Sequence, residues 1–386
     1  MRIVEVTDAR LARQFLLVPV QLLGSDPNYI RPLDKDVEQV FDKTKNKAFR
    51  FGEATRWLLQ NEQGRYIGRI AAYVSKRYKN KGDEQPTGCF GFFDCIDDQA
   101  AANLLLDTAR DWLAAKGMEA MDGPVNFGER NYWWGLLVEG FDPPPYGMNY
   151  NAPYYKNLLE QYGCQVFFYQ NCYSRPVQPR LSDKFYRAHE RFAADPAFSV
   201  QHARKSQLDK YAADFCEVYN KAWASHEGNK SMSLEMAKKT FATMKPVMDE
   251  ELVWFAYHDG KPVAMYLSLP DLNEAFRYLN GRFDWWGKLK FVYYRWRGVI
   301  KKFTGIVFGV VPEFQGTGID YYMIVEAAKV IQPSKKYYLT ELQWQGDFNP
   351  KMNNISKNLE FNLSRRLATY RYLFDRSKPF KRHPIL

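Results

Sequence analysis

Apolar and polar positions follow two periods along this chain, and the switches between them mark out the elements. Residues 11–23 are apolar at helical spacing, and Asp26-Pro27-Asn28 ends the run because proline disfavours helix in the residue before it. Alternating segments around 55–59 and 67–74 flank Asn61-Glu62-Gln63-Gly64 and predict a hairpin. A strand over 88–96, a helix over 98–116 closed by Gly117, and a strand over 118–126 follow. After an aromatic, proline-rich stretch at 127–149, Pro153 opens a short helix over 154–162 that Gly163 caps, and 165–173 reads as a strand. Arg175-Pro176-Val177-Gln178-Pro179-Arg180 reads as a connector, followed by a helix over 182–193.

The series then restarts. A strand is expected over 198–203, helices over 209–224 and 233–248, and a hairpin over 252–257 and 263–269 turning at Asp259-Gly260. A strand over 303–312, a helix over 316–331, a strand over 336–344, a helix from Pro350 and a strand over 365–374 complete it. Three anchors support an internal repeat: Gly64-Arg65-Tyr66-Ile67, Phe90-Gly91 and Asn151-Ala152-Pro153 recur 196, 218 and 198 residues later. The fold class is therefore α/β with mixed sheets in two domains, 1–178 and 179–386, which suits a length of 386 residues.

Composition changes this picture little. Hydrophobic residues at 46% and charged residues at 25% are ordinary for a globular chain, while 16% aromatic residues is high. The formal charge of +10 permits nucleic acid, anionic lipid or an anionic cofactor and selects none of them. Two basic clusters, at 43–47 and 76–81, read as solvated loops. The five cysteines are odd in number and lack C-x-x-C spacing, which predicts neither a disulfide framework nor a zinc site and fits a reducing cytoplasm. His202, His226 and His258 have no spacing that suggests a metal site or triad, and Cys216 carries no sign of a nucleophile. The first seven residues read as a strand without the apolar run of a signal peptide, and no stretch approaches the roughly 20 apolar residues of a membrane span.

The chemistry concentrates at 306–320. There an apolar strand ending in Val310-Val311 meets Pro312-Glu313-Phe314-Gln315-Gly316-Thr317-Gly318-Ile319, with an amphipathic helix directly behind. The first amides of a helix lack partners and, with the helix dipole, suit a phosphate; glycines let it approach the backbone. The segment resembles the Q/R-x-x-G-x-G/A motif of the GNAT superfamily of acyl-CoA N-acyltransferases. That resemblance implies a tandem GNAT-like fold with acetyl-CoA or another acyl-CoA as co-substrate and no metal. It implies that amides of Gln315, Gly316, Thr317, Gly318 and Ile319 hold the pyrophosphate. It also implies that Val310 and Val311 line the pantetheine arm, and that the next strand, Thr340-Glu341-Leu342-Gln343-Trp344, splays away. Asn349 matches the asparagine that the family places near CoA. Further segments, including Leu269-Pro270-Asp271-Leu272-Asn273 and Gly91-Phe92-Phe93-Asp94, resemble the bacterial YghO-like tandem-GNAT group over nearly the whole chain.

Two positions depart from the pattern. Asp320 stands where the motif ends in glycine or alanine, and a carboxylate facing a pyrophosphate would repel it. Ser356 stands where many family members have a tyrosine that protonates the leaving thiolate. The first half has Asp97-Asp98-Gln99-Ala100 where the repeat aligns the glycine loop, which marks it as degenerate and unable to cradle a pyrophosphate.

For a general base, Glu341 at the start of the splaying strand is the candidate. Asp271 and Asn273 precede a second insertion and are candidate substrate residues, although Asp-Leu-Asn also makes a turn. The first insertion offers Tyr132 and Trp133 as substrate contacts, or serves as a packed loop. The second, 278–302, interleaves aromatic and basic residues from Trp285 onward; a lid, an interfacial membrane helix, an RNA contact and a helix packed on its own domain compete. The leading expectation is a cytoplasmic N-acetyltransferase acting on a small-molecule or peptide amine. Aminoacyl transfer from tRNA, as in Fem-type enzymes, is disfavoured by the retained phosphate loop; a ligand-binding protein without turnover is the third reading.

Overall fold

A computed structural model describes residues 1–223 and 231–386. In chain order the first part contains β1 (Arg2–Glu5), α1 (Ala9–Leu23), α2 (Asp34–Phe41), β2 (Gly52–Gln60), β3 (Tyr66–Ser75), β4 (Thr87–Cys95), α3 (Gln99–Ala115), β5 (Ala120–Gly123), β6 (Leu136–Glu139), α4 (Tyr155–Tyr162) and β7 (Gln165–Pro176). Then come α5 (Asp183–Ala193), β8 (Phe198–His202), α6 (Leu208–Trp223), α7 (Leu234–Met244), β9 (Val253–His258), β10 (Lys261–Pro270), α8 (Asn273–Phe276) and α9 (Trp285–Trp296). The chain closes with β11 (Lys302–Val310), α10 (Ile319–Ser334), β12 (Leu339–Leu342), β13 (Gln345–Gly346), α11 (Pro350–Asn358) and β14 (Asn362–Leu373). By packing, the chain divides into two compact units. Unit 1 holds Met1–Tyr173, Ala275–Arg297 and Trp344–Leu386; unit 2 holds Ser174–Glu274 and Gly298–Gln343.

In unit 1, β1 to β4 form an antiparallel meander and β5 lies parallel to β4, as a crossover through α3 requires. Strand β14 then pairs antiparallel with β5. Leu105, Leu106, Ala109 and Leu113 of α3 are fully buried against this sheet, as are Phe15 and Val18 of α1. Asp8 and Asp98 start the two helices by accepting from Leu11 N and Ala101 N, both at 2.7 Å. Charged groups inside the unit are paired: Arg69 with Asp94 at 2.6 Å, and Arg371 with Asp122 at 2.7 Å.

Unit 2 repeats the order. Strands β8 to β11 are antiparallel, β12 runs parallel to β11 after α10, and the last residues of β7 pair antiparallel with β12. Helix α10 packs on α5 through Phe185 and Tyr321, whose ring centroids are 4.4 Å apart.

Most expected elements are present with shifted ends. The helix expected from 316 begins at Ile319, because Gly316 and Gly318 both adopt positive φ, +72° and +90°, and form a turn instead. The strand expected over 336–344 is confined to Leu339–Leu342, and β7 runs on to Pro176, which shortens the supposed connector.

Candidate functional site

Strand β11 is the central feature of unit 2. Lys302 to Gly305 pair in register with Leu339 to Leu342 of β12, and Gln343 N donates to Gly305 O at 3.2 Å. The two parallel strands then part. Beyond Gly305, β11 keeps its ladder to β10, and among the described residues no strand covers its other edge. The bend coincides with a bulge, since Leu267 faces Val307 while Ser268 faces Gly305, leaving Ile306 unpaired and 39% exposed. The open edge therefore runs from Ile306 to Val310 and leads directly into the glycine turn. Unpaired edge amides and carbonyls are a ready template for an extended amide-bearing chain.

The turn is held from within. Gln315 Nε2 donates to Val310 O at 3.0 Å, Thr317 Oγ1 to Phe314 O at 2.7 Å, and the Arg191 guanidinium to Thr317 O. Gly318 is the N-cap of α10 in the left-handed region, and no side chain caps the helix. No residue before the helix caps its first turn, whereas at α3 the Asp98 carboxylate occupies that place. A Cβ added to Gly316 would meet nothing within 4 Å, so this side of the turn opens onto free space. Burial pushes the Asp320 carboxyl above the ordinary range, while the amides of Tyr321 and Asp320 pull it back down.

Glu341 lies opposite Thr304, one pair before the strands part, and is 4% exposed. Asp271 and Asn273 lie at the far end of β11: Asp271 N donates to Lys302 O at 2.9 Å, and Asp271 Oδ1 accepts from Asn273 N at 3.1 Å in a tight turn. Eight residues of strand place Val310 about 26 Å from that end. The loop residues Val310, Val311, Gln315, Gly316, Thr317, Gly318 and Ile319 share unit 2 with Glu341, Asp271 and Asn273; Asn349, Tyr132, Trp133 and Trp285 belong to unit 1.

Asn349 caps α11, accepting from Met352 N at 3.3 Å. Ser356 is 2% exposed and accepts from Gln345 Nε2 at 2.6 Å. Asn353, unremarked in the sequence, accepts from Tyr173 Oη at 2.7 Å and donates to Gly346 O at 2.8 Å. Tyr266 was also missed. Its ring lies over the fork, 3.6 Å from where a Cβ of Gly305 would stand, and burial raises its phenol. Only register reveals it, because Tyr266 reads in sequence as one more aromatic of a buried strand. His202 bonds its own backbone neighbourhood at Ala203 O, His258 stacks on Phe198 and Phe314, and His226 lies outside the described residues.

Unit 1 holds a second concavity of about 600 Å³, a volume suited to a mid-sized organic ligand. The first insertion supplies Tyr132, Trp133 and Trp134 to its wall, and the two basic clusters supply Lys45, Lys47 and Arg77. These cations are solvent-exposed, as a solvated loop predicts, yet they rim a cavity. Asp36 lines it too; burial raises its carboxyl, and Tyr146 Oη donates to it at 2.8 Å. Its residues are spread from 36 to 146, so no local pattern announces it.

Among solved structures, a tandem GNAT protein from the clavulanic acid biosynthesis pathway covers 98% of this chain and 99% of its own, with a TM-score of 0.54 at 12% identity. The chain has a tandem GNAT fold. The fork between β11 and β12 is thus the place where the GNAT resemblance expected the strands to splay. The chain is similar over 364 residues to the bacterial ceramide synthase of Caulobacter vibrioides, at 28% identity and 92% coverage of both chains. It is similar to protein YghO of Escherichia coli at 25% identity over 377 residues, 93% of this chain and 92% of that one. No family model matches. Among the described residues no cluster of His, Cys, Asp and Glu is arranged for a metal, and no helix is long and apolar enough to cross a membrane.

Proposed function

We propose that this GNAT protein transfers an acyl group from acyl-CoA to an amine, with unit 2 as the acyl-CoA half. The observation that carries the reading is the continuous path from the open edge of β11 into an uncapped glycine turn at the start of α10. An extended pantetheine arm pairs with 306–310, and the pyrophosphate rests on the amides of Gly316, Gly318 and Ile319, since those of Gln315 and Thr317 donate to Pro312 O and Phe314 O within the turn. The amine attacks the thioester carbonyl at the fork, the amide C–N bond forms, and the C–S bond breaks. Glu341 takes the amine proton, and Tyr266 gives a proton to the leaving thiolate in place of the tyrosine that Ser356 replaces. Asn349 is the helix-capping asparagine that the family sets near CoA.

The degenerate half binds no CoA in this reading. Asp98 already satisfies the start of α3, and a Cβ at Gly91 would lie 2.0 Å from Val125 O, so the chain after β5 fills the space beside β4. Unit 1 by itself offers a cleft lined by Tyr132 and Trp133 that suits an amphiphilic amine. The acceptor is an amphiphilic amine. A ceramide is the fatty amide of a long-chain amino alcohol, and the similarity to a ceramide synthase favours that class over a small polar amine. The aromatic wall around a carboxyl, Asp36, suits an ammonium group on an apolar chain.

Calorimetry with CoA and palmitoyl-CoA tests the first step, and mass spectrometry of amide formed from palmitoyl-CoA and a long-chain amino alcohol tests the second. No heat with either ligand at millimolar concentration sinks the proposal. Binding with amide formed only on small polar amines sinks the acceptor class alone.

A further inference from the structure

Helix α9 presents an apolar stripe to solvent. It is fixed to unit 1 by one face only, where Gly287 and Phe291 are buried. Phe291 packs on Phe276 and Phe283 with centroids 5.3 and 6.0 Å apart, and a Cβ at Gly287 would come within 2.4 Å of Arg282 O. Projected at about 100° per residue, the opposite side carries Trp285, Trp286, Leu289, Val292, Tyr293 and Trp296 within an arc of about 120°. All six are exposed, from 45% for Leu289 to 79% for Trp296. Scattered exposed apolar residues are normal, but six on one contiguous stripe, three of them tryptophan, are not.

The cations frame that stripe. Lys288 and Arg295 project along one margin and Lys290 and Arg297 along the other, while Asp284 is used at the N-cap, accepting from Gly287 N at 2.9 Å. An apolar ridge rich in indole and phenol rings between two basic margins has the chemistry of a helix lying in the headgroup layer of an anionic bilayer. There the rings enter the acyl boundary and the cations meet lipid phosphates. Of the four sequence readings of this insertion, the packed-helix reading accounts for Gly287 and Phe291 and leaves the outward side without a role. We propose that α9 docks unit 1 on an anionic membrane surface, with Trp285, Leu289 and Trp296 inserted and the four cations on the phosphates. This inference is independent of the acyl-transfer reading.

The test is flotation of the full chain with vesicles, one set of phosphatidylglycerol and phosphatidylethanolamine and one of phosphatidylcholine alone. The chain is expected to float with the anionic set and to lose binding to it as salt rises. Trp285→Ser with Trp296→Ser weakens that binding at least about 10-fold, and Lys288→Gln with Lys290→Gln lowers its salt dependence by about half, two of the four cations remaining. Both changes fall on exposed positions, so thermal midpoints stay within about 2 °C of the parent. Failure of the parent chain to float, or equal flotation of the double tryptophan variant, overturns the proposal. So does a dimer in light scattering that the tryptophan variant dissolves, because the stripe then belongs to a second copy. So does RNA binding that this variant abolishes while flotation persists. The assay contains no acyl-CoA, so its failure leaves acyl transfer standing.

Discussion

Replacing Gly316 by asparagine and by aspartate isolates the electrostatic role of the turn. Gly316 has φ of +72°, and a Cβ there meets nothing within 4 Å, so the only steric cost is that of the left-handed backbone. Asparagine and aspartate both tolerate that region and are nearly isosteric. They differ by one charge, placed about 6 Å from a pyrophosphate resting on the neighbouring amides. At an effective dielectric constant of about 20, two unit charges at that distance repel by about 3 kcal/mol, or about 100-fold in affinity. Calorimetric titration with CoA should give Gly316→Asn a Kd within a few-fold of the parent and Gly316→Asp a Kd about 100-fold weaker, with the gap narrowing in high salt. Equal affinities for the two variants would refute a phosphate site at this turn.

Further expectations concern individual side chains. Tyr266→Phe and Glu341→Gln each lower turnover by about 100-fold or more while leaving the CoA Kd unchanged, whereas Ser356→Ala alters stability and not the shape of the pH–rate profile. Asp98→Ala removes the cap of α3 and costs about 1 kcal/mol in chemical denaturation, without creating a CoA site. Arg371→Met leaves Asp122 buried without its cation, with only Tyr78 Oη and Asn80 Nδ2 still donating to it, lowering stability by about 3 kcal/mol. Asp36→Asn tests the cleft carboxyl. Its folded pKa is raised, so the parent gives up stability as pH rises from the ordinary carboxylate range through the folded value. The variant should therefore melt higher than the parent at neutral pH, with the difference closing in acid below the unfolded pKa.

The sequence made unit 2 legible because its informative features are local. A strand, two glycines separated by one residue in Gln315-Gly316-Thr317-Gly318, and a helix are contiguous, so backbone conformation and anion chemistry follow from neighbours. Asp97-Asp98 was legible in the same way as an acidic replacement of the glycine loop, but that Asp98 caps α3 emerged only from the structure. The fork was expected only through family resemblance; nothing in Gly305 or Leu342 announces where two parallel strands part. Tyr266 is significant by register, and the cleft of Asp36, Tyr132 and Trp133 by packing of segments about 100 residues apart. The four readings of helix α9 stayed open for another reason. Aromatic residues occupy nearly all sides of it, so periodicity alone could not say that Phe291 faces inward while Trp296 faces water.

A structure of the chain with CoA bound tests the central claim most directly. The account predicts one CoA per chain, its pyrophosphate on the amides of Gly316, Gly318 and Ile319 and its pantetheine paired along 306–310. CoA seated at the start of α3 beside Asp98, or bound away from the open edge of β11, would contradict it.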